Sequence, residues 1–362
     1  MRVALATCAA LLAVAAPATA AHDFVRYNLL YGGDLAAAEG PFFLAAQSER
    51  DFTERSFRIN LRTGAGRRIH LPGLGLRAGG DRLAVQQAIQ APSSPEFNDT
   101  AVISMPAKGG PPTTLASAHA VSSSRPRGFC GRYVELVDVT TDGRVITNES
   151  RKPCDIERRG HGALYAYSPA GRRLLTRRRV LTAFLGGQVR VAGDWVLVTG
   201  NYRSHETQST YLVNTRTGTV RRLLRDVGVY TQDVDRHGNA VVSYLRHDGD
   251  RRVRLFLADG TSRVIARPSG SAHARFCGDG LAVFQFFGER LLSLTFRDHP
   301  TARPRTLLFS EPGYAIPQSA CNSSTFAFVE DRLSDDGYTS LTTVRAYSLR
   351  PRQSGEPRSA AP

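Results

Sequence analysis

One pattern governs the chain. Thr210 to Leu224, TYLVNTRTGTVRRLL, reads as an apolar strand, a tight turn at Thr217-Gly218 and a second strand. It recurs as FRINLRTGAGRRIHL from Phe57, AVISMPAKGGPPTTL from Ala101, LYAYSPAGRRLLT from Leu164 and VRLFLADGTSRVIA from Val253, with a looser copy from Leu291 to Phe309. The turn glycines Gly64, Gly110, Gly171, Gly218 and Gly260 step by 46, 61, 47 and 42 residues, the period of a propeller blade.

A front half precedes each hairpin. TQDVDRHGNAVVSYL from Thr231 is a strand, a polar turn at Arg236-His237-Gly238-Asn239 and a returning apolar strand. GLRAGGDRLAVQQA from Gly75, QVRVAGDWVLVTG from Gln188, ARFCGDGLAVFQFF from Ala274 and QSACNSSTFAFVED from Gln318 repeat it. Front half and hairpin together make four antiparallel strands, A to D. Front halves near Asp34, Gly75, Val134, Gln188, Thr231, Ala274 and Gln318 predict an all-β, seven-bladed β-propeller, with six blades left open. The last blade has strand C at Thr343 to Leu349 and no strand D. Phe24 to Leu30, FVRYNLL, has no partner of its own, so it is expected to pair beside Val344 to Leu349, close the ring and remove two sheet edges.

The repeat, with its AGD, CGDG and DRHGN front turns and TG hairpin turns, resembles the TolB-type and WD-repeat-like propellers of exported bacterial proteins over residues 24 to 350. It lacks the Trp-Asp dipeptide, the Pro-Asp-Gly turn and a TolB-like N-terminal domain. The resemblance implies a scaffold and carries over no catalytic residue.

The first 20 residues, MRVALATCAALLAVAAPATA, have a positive n-region at Arg2, an apolar run from Val3 to Ala16 and an Ala18-Thr19-Ala20 cleavage site. They read as a secretory signal peptide, ahead of a single propeller domain at 21–350 and a disordered tail at 351–362. A lipidated Cys8 is the poorer alternative, because Thr7 is bulky for that position and the apolar run continues past it. No other stretch offers the ~20 apolar residues of a membrane span. The expected product is a secreted, extracellular monomer.

The formal charge is +15, and only Lys108 and Lys152 among 47 basic residues are lysine. Pairs such as Arg67-Arg68, Arg172-Arg173 and Arg221-Arg222 fall on predicted outermost strands and read as a solvated rim. With no aromatic interleaving and no nucleic-acid module, nucleic acid is not an expected partner. A protein or an anionic envelope polymer is.

Four cysteines follow the signal peptide. Disulfides are expected between Cys130 and Cys154, flanking a long blade, and between Cys277 and Cys321, at equivalent places in successive repeats, although four cysteines allow three connectivities. The second pairing requires Cα atoms within about 7 Å.

In such blades the A-to-B and C-to-D turns share one face, and the B-to-C and D-to-A connections share the other. The long connections, Gln86 to Asp99, Asn148 to Gly162, Asn201 to Ser209, Ser269 to Ala272 and Glu330 to Leu341, fall on the second face, where a ligand is expected near the channel. The candidate binding residues are Asp155, Glu157, Arg158, Arg159 and His161 in NESRKPCDIERRGHG, joined by Tyr202, His205 and Glu206 in NYRSHETQ. A solvated insertion is the plainer reading of both loops.

No metal site or cofactor is expected. Asp233, Asp235 and Asn239 lack the EF-hand spacing and its closing Glu, and read as a hydrogen-bonded turn. There is no HExxH and no G-x-S-x-G, and Asp335-Asp336 read as a turn. The sequence therefore favours a binding module, with a channel-mouth lyase or glycan hydrolase as the alternative.

Overall fold

The computed structural model describes residues 23–31, 35–48, 54–61, 65–71, 73–89, 97–124, 127–152, 161–176, 188–200, 208–287, 290–309, 315–333 and 340–349. The signal peptide and the C-terminal tail read from the sequence lie outside these residues.

Every regular element among the described residues is a strand. The chain opens with β1 (Asp23–Tyr31). Blade 1 is β2 (Leu35–Ala37), β3 (Phe42–Ser48), β4 (Glu54–Ile59) and β5 (Gly66–Ile69). Blade 2 is β6 (Leu74–Gly79), β7 (Arg82–Ile89), β8 (Phe97–Pro106) and β9 (Thr113–Ser124). Blade 3 is β10 (Arg127–Val139), β11 (Val145–Lys152), β12 (His161–Ser168) and β13 (Gly171–Thr176). Blade 4 is β14 (Gln188–Ala192), β15 (Trp195–Gly200), β16 (Gln208–Asn214) and the first part of β17 (Val220–Val234). Blade 5 takes the rest of β17 with β18 (Ala240–Leu245), β19 (Arg251–Phe256) and β20 (Ser262–Ala266). Blade 6 is β21 (Ser271–Cys277), β22 (Gly280–Phe287), β23 (Arg290–Arg297) and β24 (Arg305–Phe309). Blade 7 is β25 (Ala315–Cys321), β26 (Thr325–Leu333) and β27 (Ser340–Ser348), completed by β1.

The closure expected from FVRYNLL is present. β1 pairs antiparallel with β27 through Asp23↔Arg345, Phe24↔Val344, Val25↔Thr343 and Asn28↔Leu341, and its far end pairs with β3 through Leu29↔Ser48 and Tyr31↔Gln47. The packing shows the same ring. Among the described residues there are seven apolar clusters, one between each pair of neighbouring blades. The one between blades 7 and 1 joins Leu35, Phe42 and Leu44 to Val329, Val344 and Ala346. The fold is a seven-bladed β-propeller.

The B strands show why this sequence packs so. Phe42 and Leu44 face blade 7 while Phe43 and Ala45 face blade 2. A strand buried on both faces must be apolar at successive positions, not only at alternate ones. Hence the runs Val196-Leu197-Val198 and Val241-Val242, all fully buried. No helix among the described residues is long and apolar enough to cross a membrane.

The two faces follow from the turns. The Thr215 N–H donates to the Asp194 carbonyl at 2.7 Å, and the Ala107 N–H to the Asp81 carbonyl at 2.7 Å, so C-to-D and A-to-B turns meet on one face. The other face, here the loop face, is more regular than its sequence suggests. Residues 148–152 extend β11 and residues 161–162 open β12, with Asn148↔Leu164 and Arg151↔His161 opposed. The Gln86 to Asp99 and Glu330 to Leu341 connections likewise shorten, because cross-strand pairing continues past the polar residues that suggested loops. Blades 2 and 3 are joined by a β9–β10 hairpin, with Arg127↔Ser124 through Gly131↔Ala120 paired. Blades 4 and 5 share β17, in which Asp226 takes φ 50° at the passage from one blade to the next.

The outer arginines are only partly a solvated rim. Arg67 and Arg68 are exposed. Arg221 donates to the Leu257 carbonyl at 3.1 Å, Arg263 to the Pro300 carbonyl at 3.0 Å and Arg305 to the Leu349 carbonyl. Arg221 and Arg263 therefore reach from strand D of one blade to the C-to-D turn of the next, and Arg305 reaches from strand D of blade 6 to the residue that follows strand C of blade 7. Arg173 approaches Asp194 of the following blade at 3.8 Å. Arg172 lies 3.7 Å over the Tyr165 ring and bonds Glu149, whose Oε1 also accepts from the Tyr167 hydroxyl at 2.7 Å. Burial, then the bond to Glu149, pushes the Tyr167 phenol up to about 12.

One glycine is held by packing as well as by its backbone. Gly238 sits at φ 86°, and a Cβ there would lie 2.4 Å from Trp195 Cε2. Gly238→Ala is expected to cost about 2 kcal/mol through overpacking and the left-handed backbone. Trp195 is the chain's one tryptophan, so its emission reports the change. An unaltered spectrum and denaturation midpoint would remove the claim.

Candidate functional site

Strand A of each blade lines the central channel. Five successive A strands place a charged residue at the same level, opposite a B-strand core residue. Arg77 lies opposite Ala84, Asp138 opposite Ile146, Arg190 opposite Leu197, Asp233 opposite Val241 and Arg275 opposite Ala282. Around the ring the signs run plus, minus, plus, minus, plus.

Local sequence explains the placement. Blades 2, 4 and 6 carry RAGGD (Arg77 to Asp81), RVAGD (Arg190 to Asp194) and RFCGD (Arg275 to Asp279). Blades 3 and 5 carry DVTTDG (Asp138 to Gly143) and DVDRHG (Asp233 to Gly238). The first type closes through a two-residue turn. The second uses a longer turn, which the carboxylate of its third residue organises in blade 5. There Asp235 Oδ1 accepts from the His237 and Asn239 N–H groups, both at 2.9 Å, and Asp235 Oδ2 from Asn239 Nδ2 at 2.7 Å. Asp235 and Asn239 thus form the hydrogen-bonded turn read from the sequence, whereas the Asp233 carboxylate bonds the Val234 and Phe276 N–H groups instead.

The ring is tied across blades. Asp233 Oδ2 accepts from the Phe276 N–H at 2.8 Å, and its Oδ1 from the Val234 N–H at 3.0 Å. Arg275 donates to the Ser319 carbonyl. Arg190 Nη1 stands 3.9 Å from Asp138 Oδ2. Burial raises the Asp233 carboxyl above the ordinary range despite the nearby Arg275 and Arg190. Burial, then Arg190, lowers the Arg275 guanidinium, with Asp233 and Asp138 opposing.

A cavity of 350 Å³ lies on this ring. Its A-strand lining includes Glu135, Leu136, Val137, Val189, Tyr230, Thr231, Gln232, His273 and Ala274. Each of these precedes its blade's ring residue in the chain and so stands on the loop-face side. The floor holds Arg77, Arg190 and Arg275. The wall is positioned by buried polar contacts. Gln232 Oε1 accepts from Thr199, whose hydroxyl also bonds Thr210 at 2.7 Å, and Gln86 Oε1 accepts from the Leu136 N–H at 2.9 Å. The His273 ring packs edge-on against Phe284 and Phe286 at 5.3 and 5.4 Å.

Of the sequence candidates for binding, His161 alone lies among the described residues. The backbone of His161 lies in β12 opposite Arg151. Asp155, Glu157, Arg158, Arg159, Tyr202, His205 and Glu206 fall outside the described residues. Cys154 is also outside them, and with it the pairing to Cys130. Cys277 and Cys321 are bonded, with S–S 2.00 Å and Cα–Cα 5.3 Å. The bond staples the inner strand of blade 6 to that of blade 7 at the level just beyond Arg275. Sequence reasoning named Asp233 as a turn residue and missed Arg77, Asp138, Arg190 and Arg275. The signal was present two residues before each AGD and CGD turn and at the head of each DV turn.

No family model matches the chain, and no curated protein matches it. Solved structures do. The propeller domain of the Trilobed protease from Pyrococcus furiosus aligns at TM-score 0.61 and 8% identity over 89% of this chain and 98% of that one. It is described as having an open velcro topology, whereas β1 and β27 pair here. The acylaminoacyl peptidase of Pyrococcus horikoshii aligns at 0.61 and 10% identity over 89% of this chain, which spans about half of the peptidase, 52%. An oligogalacturonate lyase solved with manganese aligns at 0.51 and 11% identity over 90% of each chain. At these identities the likeness is one of fold, the β-propeller.

Proposed function

We propose that the chain is an exported propeller of the TolB-type or WD-repeat-like class, acting as a monomeric binding module. It receives a protein or an anionic envelope polymer on the loop face, over the central channel. One observation carries this reading. Arg77, Arg190 and Arg275 line one cavity of the channel, together with Glu135, in a chain of net charge +15. Arginines held by fixed partners are preorganised donors for anionic groups. The recognition residues of this reading are Asp155, Glu157, Arg158, Arg159, His161, Tyr202, His205 and Glu206.

The test is capture from an envelope extract by immobilised residues 21–362. A second form has residues 153–160 replaced by a Gly-Ser linker, and a third carries Arg216→Ala on the turn face. The intact and turn-face forms are expected to retain the same partner, released as salt is raised, and the loop-face form to lose it. Equal capture by all three, or none by any, would overturn the reading.

A second reading has its own observation. Glu135 and His273 line the same cavity, a carboxylate and an imidazole suited to acid and base roles. On that reading the chain is a lyase or glycan hydrolase, and Glu135→Gln abolishes a turnover that the intact chain shows on glycans.

A further inference from the structure

A second concavity lies on the turn face, away from the channel cavity. It is an open groove of 580 Å³ between the A-to-B turns of blades 3, 4 and 5 and the C-to-D turn of blade 4, a size within the range of ordinary ligand pockets, about 300–1,000 Å³. Trp195 lines it and is partly exposed. The indole rests on bare backbone, since a Cβ on Gly238 would fall 2.4 Å from Trp195 Cε2.

Each arginine at the groove has a carboxylate partner. Arg144 Nε meets Asp142 Oδ2 at 2.9 Å, and its Nη2 donates to the Gly193 carbonyl at 2.8 Å. Arg236 Nη2 meets Asp279 Oδ1 at 3.0 Å, and its Nε bonds His237 Nε2 at 3.2 Å. Asp194 stands between Arg173 and Arg216, at 3.8 and 3.7 Å. An ion would have to break into one of these pairs, so the groove suits a neutral ligand.

Two hydrogen-bonding groups remain open beside the indole. Asn214 is 8% exposed, and its Oδ1 accepts from the Arg216 and Thr217 N–H groups, both at 3.0 Å. Those donors fix which end of the amide is oxygen, and its Nδ2 has no acceptor among the described residues. This nitrogen is not one of the buried polar atoms without a partner, so it keeps accessible surface, and its residue lines the groove. The Asp194 carboxylate is the matching acceptor. Its ion pairs are longer than hydrogen bonds, and its side chain is 33% exposed. The backbone holds the three residues together: Trp195 pairs with Asn214 across β15 and β16, and the Thr215 N–H and hydroxyl donate to the Asp194 carbonyl at 2.7 and 3.0 Å.

We propose that the turn-face groove binds a neutral saccharide, its ring against Trp195 and its hydroxyls between the Asp194 carboxylate and Asn214 Nδ2. A hydroxyl both donates and accepts, so an open acceptor beside an open donor answers a sugar edge, and the indole covers the apolar C–H surface of the ring. A peptide fits less well, because strand addition needs free backbone groups and the Gly193 and Asp194 carbonyls are already engaged. The site goes beyond the loop-face reading and lies on the opposite face.

Titration of residues 21–362, followed by the emission of Trp195, the chain's one tryptophan, tests it. Cellobiose, maltose and N,N′-diacetylchitobiose are the saccharide probes; inorganic phosphate and N-acetyltrialanine amide stand for the ionic and peptide alternatives. At least one saccharide is expected to shift the emission with a Kd of about 1 mM or tighter, and neither alternative is. Asn214→Asp keeps the turn acceptor and removes the donor, and Asp194→Asn removes the carboxylate at nearly constant shape. Each should weaken the saccharide about tenfold or more with an unchanged melting curve; should one variant fail to fold, the other decides. Replacing residues 153–160 should leave the saccharide affinity unchanged, so this site and the loop-face one can fail separately. No response to any of the saccharides, an equal response to phosphate or the peptide, or undiminished binding in the folded variants overturns the proposal.

Discussion

Deletion of residues 24–30 is expected to lower the melting temperature by about 10 °C or more, whereas deletion of residues 351–362 leaves it unchanged. β1 is the fourth strand of blade 7 and also reaches blade 1, so its loss opens two edges, along β27 and along the far end of β3. Open edges expose unpaired backbone groups and template aggregation. The apolar cluster of Leu35, Phe42, Val329 and Val344 would then hold blades 7 and 1 together by packing alone. Losing a strand from that junction removes on the order of 5 kcal/mol, comparable to the whole net stability of many domains. A peptide spanning residues 21–33, added in trans, should recover part of the loss by taking the vacant place beside β27. A deletion variant that melts with the intact protein would show that the ring does not depend on this closure.

The closing strand also marks how far the fold is legible in the amino-acid sequence. Blade period, strand count and closing strand all follow from alternation, turn glycines and an unpaired FVRYNLL. These are local signals, and each repeat supplies an independent copy. Register is less legible. Val344 to Leu349 is the stretch expected beside the N-terminal strand, whereas the observed pairs run from Leu341 to Arg345. Two strands joined by no tight turn have nothing in the sequence to set their offset.

The site is harder to read for a different reason. Its residues come from successive blades, each contributing one side chain, and the chain separates them by 42 to 61 residues, from Asp233 to Arg275 and from Arg77 to Asp138. Turn motifs draw attention to the glycines, while the charged residue two places earlier passes as ordinary strand content. The charged loop at 153–160 stands out instead, because a run of polar residues is conspicuous along a linear chain. Even there the strands extend further than the polar composition suggests, as Asn148 shows. It reads as the first residue of a loop, yet it is a buried strand residue in the cavity wall. The outer arginines illustrate the converse. Arg221, Arg263 and Arg305 look alike and solvent-bound in sequence, and only the neighbouring blade supplies the carbonyl that each one meets.

The charge ring makes the second large prediction. Asp233→Ala is expected to destabilise the protein by about 3 kcal/mol, the range seen when one partner of a buried charged set is removed. Two losses coincide. The Phe276 N–H, at 2.8 Å from Asp233 Oδ2, loses its acceptor, and Arg275 and Arg190 are left with Asp138 as the ring's one carboxylate. Asp233→Asn keeps an acceptor for Phe276 and is expected to cost less than the Ala change. The pH dependence separates charge from hydrogen bonding. Because burial raises the Asp233 carboxyl, the folded state holds its proton at a pH where the unfolded chain has released it. Between the ordinary carboxylate range and that raised value, stability therefore falls as pH rises and recovers on acidification. The intact protein has this acid-side gain and the Asn variant lacks it, so the stability difference between them should widen as pH drops through that window. Denaturant titrations of the three proteins from about pH 7 to about pH 4, spanning the carboxylate range, measure it. A constant difference would mean that Asp233 keeps its ordinary carboxyl and serves the ring only as a hydrogen-bond acceptor. A difference that narrows instead would make Asp233 a carboxylate held down by its arginines.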